Sequence, residues 1–207
     1  MDDQWLNMWD TRYREAAYAY GELPNAFFRD QLERLSPGKM LLGAEGEGRN
    51  AVHAGRQGWQ VTAFDISQEG RSKALKLSAK YGIEINYQVG LLPDLGFQPD
   101  QFDAIALIYA HFPKNIRSLY HRLMSQYLKK GGWIILEAFG KNHLEYRKKN
   151  PGVGGPGQPD LLISPEELQT DFEGFDVQEI LETTVNLKEG LYHNGVGSVT
   201  RFVGRKK

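Results

Sequence analysis

Apolar positions recur along this chain at two periods, and the points where one period gives way to the other mark its elements. Trp5, Trp9, Tyr13, Ala17 and Tyr20 fall at steps of three and four, which predicts one aromatic-faced helix ending near Gly21 and Pro24. Such a stripe suits a core-facing surface and a lid over a ligand equally well. Asn25 can cap a second helix with Phe28, Leu32 and Leu35 inward, stopped by Ser36-Pro37-Gly38. Met40-Leu41-Leu42 then reads as a strand that breaks into glycines at Gly43, Gly46 and Gly48. Helical spacing restarts at Ala51, and a second strand, Val61 to Phe64, ends in Asp65.

Ser67 is an N-cap for a helix expected to turn Ala74, Leu75, Ser78 and Ala79 inward and Lys73, Lys76 and Lys80 outward before Gly82 ends it. Ile85, Tyr87 and Val89 alternate as a third strand. Phe102 to Ile108 is almost unbroken apolar sequence, as in a parallel strand covered on both faces. Ile116, Leu119, Leu123 and Tyr127 predict one face of a helix stopped by Gly131-Gly132, and Trp133 to Phe139 a fifth strand. Residues 140–163 are the least regular, and a loop this long inside a compact domain is usually functional or disordered. Ser164-Pro165-Glu166-Glu167 carries a capping box. Phe175 to Leu187 and Val196 to Val203 are β-rich, joined by residues 188–195, a connection short enough to make them antiparallel.

Strands alternating with helices predict an α/β fold, a doubly wound and mostly parallel seven-stranded sheet with an antiparallel C-terminal strand and helices on both faces. At 207 residues one domain is expected, with residues 1–36 as an N-terminal helical cap and 140–163 as an active-site loop. A net charge of −1 gives no electrostatic case for nucleic acid or an anionic membrane. No apolar run is long enough to span a bilayer, and the N-terminus lacks a signal peptide's basic and apolar regions, so a cytoplasmic protein is expected. The absence of cysteine excludes disulfides, thiolate metal sites and a cysteine nucleophile. No histidine pair has the spacing of a zinc helix, so no metal is expected. Oligomeric state stays open.

In a doubly wound sheet the ligand sits at the carboxyl ends of the strands. The first turn reads Gly43-x-x-Gly46-x-Gly48, which is not the dinucleotide spacing, and no Lys-Ser/Thr follows to make a P-loop. Glu45 and Glu47 are awkward beside a pyrophosphate and suit a ligand carrying an amino group and a sulfonium. Asp65 lies about 20 residues on, where a carboxylate accepts both ribose hydroxyls. The combination points to S-adenosylmethionine. An NAD(P)-dependent oxidoreductase and a non-catalytic S-adenosylmethionine-binding protein are the alternatives.

At these residues the chain resembles the class I S-adenosylmethionine-dependent methyltransferases, whose motif ends in G-x-G, here Ala44-Glu45-Gly46-Glu47-Gly48. Trp9-Asp10-x-Arg12-Tyr13, Tyr20-Gly21-x-x-Pro24-Asn25, Arg49-Asn50-Ala51-Val52, Gly154-Gly155-Pro156 and Glu189-Gly190-x-x-His193-x-Gly195 are similar to the small bacterial branch of tellurite-resistance and thiopurine-methyltransferase-like proteins. The resemblance implies that backbone at Ala44, Glu45 and Gly46 faces the methionine part of the cofactor, with Trp9, Glu47 and Asn50 also on the cofactor side. Asp65 would hold the ribose, Ile66 the adenine face, and Leu91 and Leu92 the adenine edge, while Tyr109, Ala110 and His111 would lie beside the methyl group. Two positions depart from the pattern: Leu42 and Leu91 stand where many members have acidic residues. Glu45 would cover the first loss, and a backbone carbonyl or water the second.

The expected partner is a small-molecule methyl acceptor, a chalcogen oxyanion, a thiol or a similar soft nucleophile. Tyr13, Arg147 and His193 are its candidate contacts. Among five histidines, His53 and His121 fall in helices as structural or surface residues. His111, at a strand end, and His193, in a connection that can fold over the cleft, are the candidates for catalysis.

Overall fold

The structure, a computed structural model, describes residues 3–207, so the first two residues of the expected cap lie outside the described residues. Seven strands form one sheet in the order β3-β2-β1-β4-β5-β7-β6. β1 (Lys39–Gly43), β2 (Gln60–Asp65), β3 (Asn86–Val89), β4 (Phe102–Ile108) and β5 (Leu128–Phe139) pair in parallel. β7 (His193–Lys206) runs antiparallel to β5 and to β6 (Phe175–Glu189). The chain reverses direction in strand order between β1 and β4, so the crevice above their carboxyl ends is the place for a ligand.

Strict alternation along the central strands fills both faces. Leu41, Ile105, Leu107, Ile134 and Phe202 pack with Tyr120, Met124 and Tyr127 of α5 (Lys114–Tyr127) and with Leu168 of α7 (Pro165–Asp171). Met40, Leu42, Ala104, Ala106 and Ile135 face α2 (Ala26–Leu32) and α3 (Arg49–Arg56) through Phe28, Leu32, Ala51 and Ala54. Each large side chain so buried contributes roughly 1.5–3 kcal/mol. The expected caps form: Asn25 Oδ1 accepts the Phe28 amide, Ser67 caps α4 (Gln68–Lys80), and Ser164 with Glu167 closes the capping box of α7.

Several expectations are corrected. The aromatic helix, α1 (Asp3–Arg14), stops well short of Tyr20. Its continuation is captured from outside: Lys73 Nζ donates to the carbonyls of Glu15 at 2.8 Å and Ala17 at 2.6 Å, and Glu47 Oε2 accepts the Ala19 amide at 2.7 Å. These bonds take backbone groups that a longer helix would use. Lys73, expected outward, is accordingly buried and ion-paired to Glu47 at 2.5 Å, whereas Ala79, expected inward, is exposed.

The buried face of α5 is Arg117, Tyr120, His121, Met124 and Tyr127, leaving Leu119 exposed. Buried polar side chains share this face with the expected residues, since Arg117 pairs with Glu167 and His121 with Asp171, while Ile116 and Leu123 stay partly buried against the core. That helix ends at Tyr127, not at Gly131-Gly132, because Leu128 already pairs with Phe102 before a bulge. The last two strands extend to a three-residue turn at residues 190–192, making a hairpin that outruns the sheet toward the crevice. Residues 140–163 hold a helix, α6 (His143–Lys149), and two 3-10 turns, Pro151–Val153 and Pro159–Leu161.

Candidate active site

A crevice of about 430 Å³ opens over the carboxyl ends of β1, β2 and β4, within the roughly 300–1,000 Å³ usual for small-molecule sites. Trp5, Trp9 and Tyr13 of α1 line it, so this part of the aromatic stripe faces the crevice, with Tyr13 also buried. Of the sequence-derived candidates, all but Gly46 and Ala110 line the cavity. Ala110 is buried beneath it, and Gly46 lies behind Tyr13, whose hydroxyl would stand 2.5 Å from any Cβ at that position.

One half of the crevice is the turn after β1 and the end of β2. Ala44 and Gly46 are left-handed, at φ 52° and 59°, which turns the chain back across the strand end. Asp65 fastens this turn: Oδ2 accepts the Gly46 amide and Oδ1 the Ser67 amide, each at 2.9 Å. Burial pushes its carboxyl up to about 6, against the pull of those amides. A carboxylate oxygen has a second acceptor direction, so Asp65 can still take two hydroxyl donors.

The two other acids of the turn have partners within the protein. Glu45 Oε1 accepts the Ala51 amide at 2.7 Å near the N-terminus of α3, and burial raises its carboxyl to about 7. Glu47 binds Lys73 and the Ala19 amide, tying the residues after α1 to the glycine turn. Ile66, Leu91 and Leu92 make an apolar slot beside Asp65. Asn50 faces the same space while its Oδ1 accepts the Asn25 amide at 2.9 Å.

The other half is aromatic and imidazole-rich. Phe139, at the end of β5, lies with ring centroids 4.8 Å from Tyr109, 5.6 Å from His111 and 5.1 Å from His193. Tyr109 holds φ 56°, a strained value for a bulky residue costing of order 1–3 kcal/mol. Its hydroxyl donates to Glu137 Oε1 at 3.1 Å, and burial raises its pKa well above the ordinary.

The two candidate histidines differ in chemistry. His111 Nδ1 lies 2.9 Å from the Leu161 carbonyl, which fixes the proton on Nδ1, and burial lowers its pKa to about 4. That imidazole is neutral and a poor base. His193 Nδ1 lies 3.1 Å from Glu189 Oε2, so the carboxylate orients the ring and leaves Nε2 as the basic nitrogen. Burial lowers the pKa of His193, opposed by Glu189. Burial opposes the charge of Glu189 too, but His193 and Arg49 hold its carboxyl down at about 2. Gly190, at φ +61°, lets this hairpin tip seat on the chain after α1, since a Cβ there would meet Gly21 N at 2.4 Å.

Arg147, on α6, donates to the Gly155 carbonyl at 3.1 Å and lines the same half. Among the described residues no carboxylate lies within 4.0 Å of it. Tyr20, Arg49 and Phe139 also line the crevice and were not singled out in the sequence. Tyr20 belonged to the aromatic stripe and Arg49 to the glycine motif, so both had a signal; Phe139 had only its place at a strand end. Among the described residues, no cluster of histidine and acid side chains could hold a metal ion, and no helix is long and apolar enough to cross a membrane.

The residues present fit S-adenosylmethionine: a partly desolvated carboxylate for a ribose, an apolar slot beside it, and a turn with no phosphate cradle. Residues 42–132 match the family model described as a methyltransferase domain. No curated relative matches the sequence. Among solved structures, the chain superposes on one described as "Conversion of a Disulfide Bond into a Thioacetal Group during Echinomycin Biosynthesis" with a TM-score of 0.79, at 17% identity over 98% of this chain and 92% of that one. TehB from Haemophilus influenzae gives 0.70 at 17% identity, covering 98% of this chain and 67% of that one. The magnesium protoporphyrin IX methyltransferase (ChlM) from Synechocystis PCC 6803, solved with bound SAH, gives 0.68 at 15% identity, covering 99% and 95%. At such identities these likenesses speak for the fold. With a methyltransferase domain over residues 42–132 at its centre and this sheet around it, the chain is a methyltransferase whose cofactor is S-adenosylmethionine.

Proposed function

We propose that this methyltransferase acts in the cytoplasm on a small, soft, anionic acceptor, a chalcogen oxyanion or a thiol bearing an acidic group. The observation that carries the reading is Arg147: a guanidinium lining the crevice with no carboxylate partner among the described residues, held at the Gly155 carbonyl. Every other arginine facing the crevice has its charge engaged, Arg49 by Glu189 and Arg12 by the Tyr20 hydroxyl and the faces of Trp9 and Tyr192. The resemblance to the tellurite-resistance branch, and a TehB among the structural neighbours, agree with such an acceptor.

When bound, S-adenosylmethionine supplies an electrophilic methyl group on a sulfonium sulfur. Asp65, Ile66 and Leu92 would hold its nucleoside, and the Ala44–Gly46 backbone its amino-acid end. The chain's own contribution is then mainly placement: Arg147 orients the anion, Phe139 and Tyr109 wall it in, and α1 excludes water, effects together worth up to ~7–11 kcal/mol in favourable geometry. A chalcogenide or thiolate needs no base. Where the acceptor arrives protonated, His193 Nε2 takes the proton while Glu189 stabilises the resulting imidazolium.

Formation of S-adenosylhomocysteine is measured with tellurite, selenite, mercaptoacetate and thiosalicylate as acceptors. Turnover with at least one, with KM raised in Arg147→Met, is the expected result. Turnover confined to neutral catechols or amines would overturn the reading.

A further inference from the structure

Asn25 is buried behind the crevice and does not line it. Every polar group of its side chain is committed. Oδ1 accepts the Phe28 amide at 2.9 Å as the cap of α2, while Nδ2 donates to two carboxylates, Glu137 Oε1 at 2.7 Å and Glu189 Oε1 at 3.1 Å. A helix cap needs only the oxygen, and serine or aspartate would serve as well. What the cap leaves unexplained is the primary amide, whose two hydrogens reach two anions.

Each of those anions carries a side chain of the acceptor wall. Glu137 accepts the Tyr109 hydroxyl at 3.1 Å and Arg201 Nε at 2.7 Å. Glu189 Oε2 accepts from Arg49 Nη2 and from His193 Nδ1, both at 3.1 Å. Two buried carboxylates and two guanidiniums balance, so the imidazole completes the cluster as a neutral group. Carboxylates converging on one point repel unless donors stand between them, and Asn25 is the donor they share. His193 is faced by Glu189 of its own hairpin, Arg49 of α3, Tyr20, Tyr109 at the end of β4, His111 beyond it and His143 of α6. Of these contacts, those with Glu189 and Tyr109 lead back to Asn25.

We propose that Asn25 is a positioning residue: its carboxamide bridges Glu137 and Glu189 and thereby fixes Tyr109 and His193 on the acceptor wall. The inference rests on the reading of His193 as the group that takes the acceptor's proton, but its geometry can be tested without turnover.

The test is a titration of the His193 imidazole by nitrogen-15 NMR in the full chain with S-adenosylhomocysteine, comparing the wild type with Asn25→Ser and Asn25→Asp. Both variants retain a capping oxygen, and Asn25→Asp keeps the shape of the side chain should the serine variant fold poorly. Loss of the bridging donor leaves Glu189 a stronger acceptor, so the His193 midpoint should rise by about half a unit or more in Asn25→Ser, and further in Asn25→Asp. Cofactor-product affinity should be unchanged. A cap with no other duty would lower thermal stability and leave the midpoint where it was; that result in either folded variant overturns the proposal. Failure of the wild type to bind S-adenosylhomocysteine would instead strike at the functional reading, and the midpoints would still decide the role of Asn25.

Discussion

The two halves of the crevice are assembled in opposite ways. The cofactor half is nearly contiguous: Ala44 to Asn50 and Asp65-Ile66 come from one strand–turn–helix–strand unit, held by short bonds such as Asp65 to Gly46. The proposed acceptor half is gathered from Tyr20, Tyr109, Phe139, Arg147 and the tip of the last hairpin, with Asn25 behind it bonded to Glu189 across 164 residues. Local chain geometry builds the first, and buried charge builds the second. The halves should therefore fail separately.

The largest separation is expected at His193. His193→Gln should lower turnover by ~10²–10⁴ with an acceptor that arrives protonated, measured as S-adenosylhomocysteine release. The same variant should turn over a pre-ionised chalcogenide nearly as well as the wild type, which a positional defect would not allow.

Asp65→Ala comes next. Losing a carboxylate that takes charged hydrogen bonds should weaken cofactor binding by ~1.5–3 kcal/mol in a calorimetric titration. Unchanged affinity would remove the ribose from this position.

Gly190→Val tests whether the hairpin tip must seat against the chain after α1. A Cβ 2.4 Å from Gly21 N, at a left-handed φ, should lower stability by about 1–3 kcal/mol and turnover with it, while cofactor affinity holds. Weakened cofactor binding of equal size would show that the halves are coupled.

The smallest effect is one of pH. Asp65 is raised to about 6 in the free protein, so the folded state holds its proton more tightly than the unfolded chain does. Its contribution to stability is therefore full below the ordinary carboxyl range and is lost as pH rises through about 6; Asp65→Asn should flatten that part of a thermal-stability profile. Cofactor binding to the ionised carboxylate runs the other way. Affinity should be level above pH 6 and fall by at most tenfold per unit below it, with proton release on binding.

The same contrast explains what could be read in the sequence. The succession of strands and helices, the caps at Asn25, Ser67 and Ser164, and the placing of Asp65 after the glycine turn follow from periodicity and turn chemistry within a few dozen residues, whereas the other cofactor-side candidates came from the family resemblance. The length of α1 did not follow, because Lys73 and Glu47 take its backbone from another element. Nor did the buried face of α5, where Arg117 and His121 are matched by acids about fifty residues away. The bridge from Asn25 to Glu137 and Glu189 was not legible, since a pairing across the whole chain leaves no local pattern.

The central claim is that one crevice holds two separable halves, and a cross of two variants with two readouts tests it most directly. Asp65→Ala and His193→Gln are each assayed for S-adenosylhomocysteine affinity and for turnover at saturating S-adenosylmethionine. With an acceptor that arrives protonated, the account predicts that Asp65→Ala loses affinity and regains most turnover at saturation, while His193→Gln keeps affinity and loses turnover. Equal losses of affinity in both variants would contradict it.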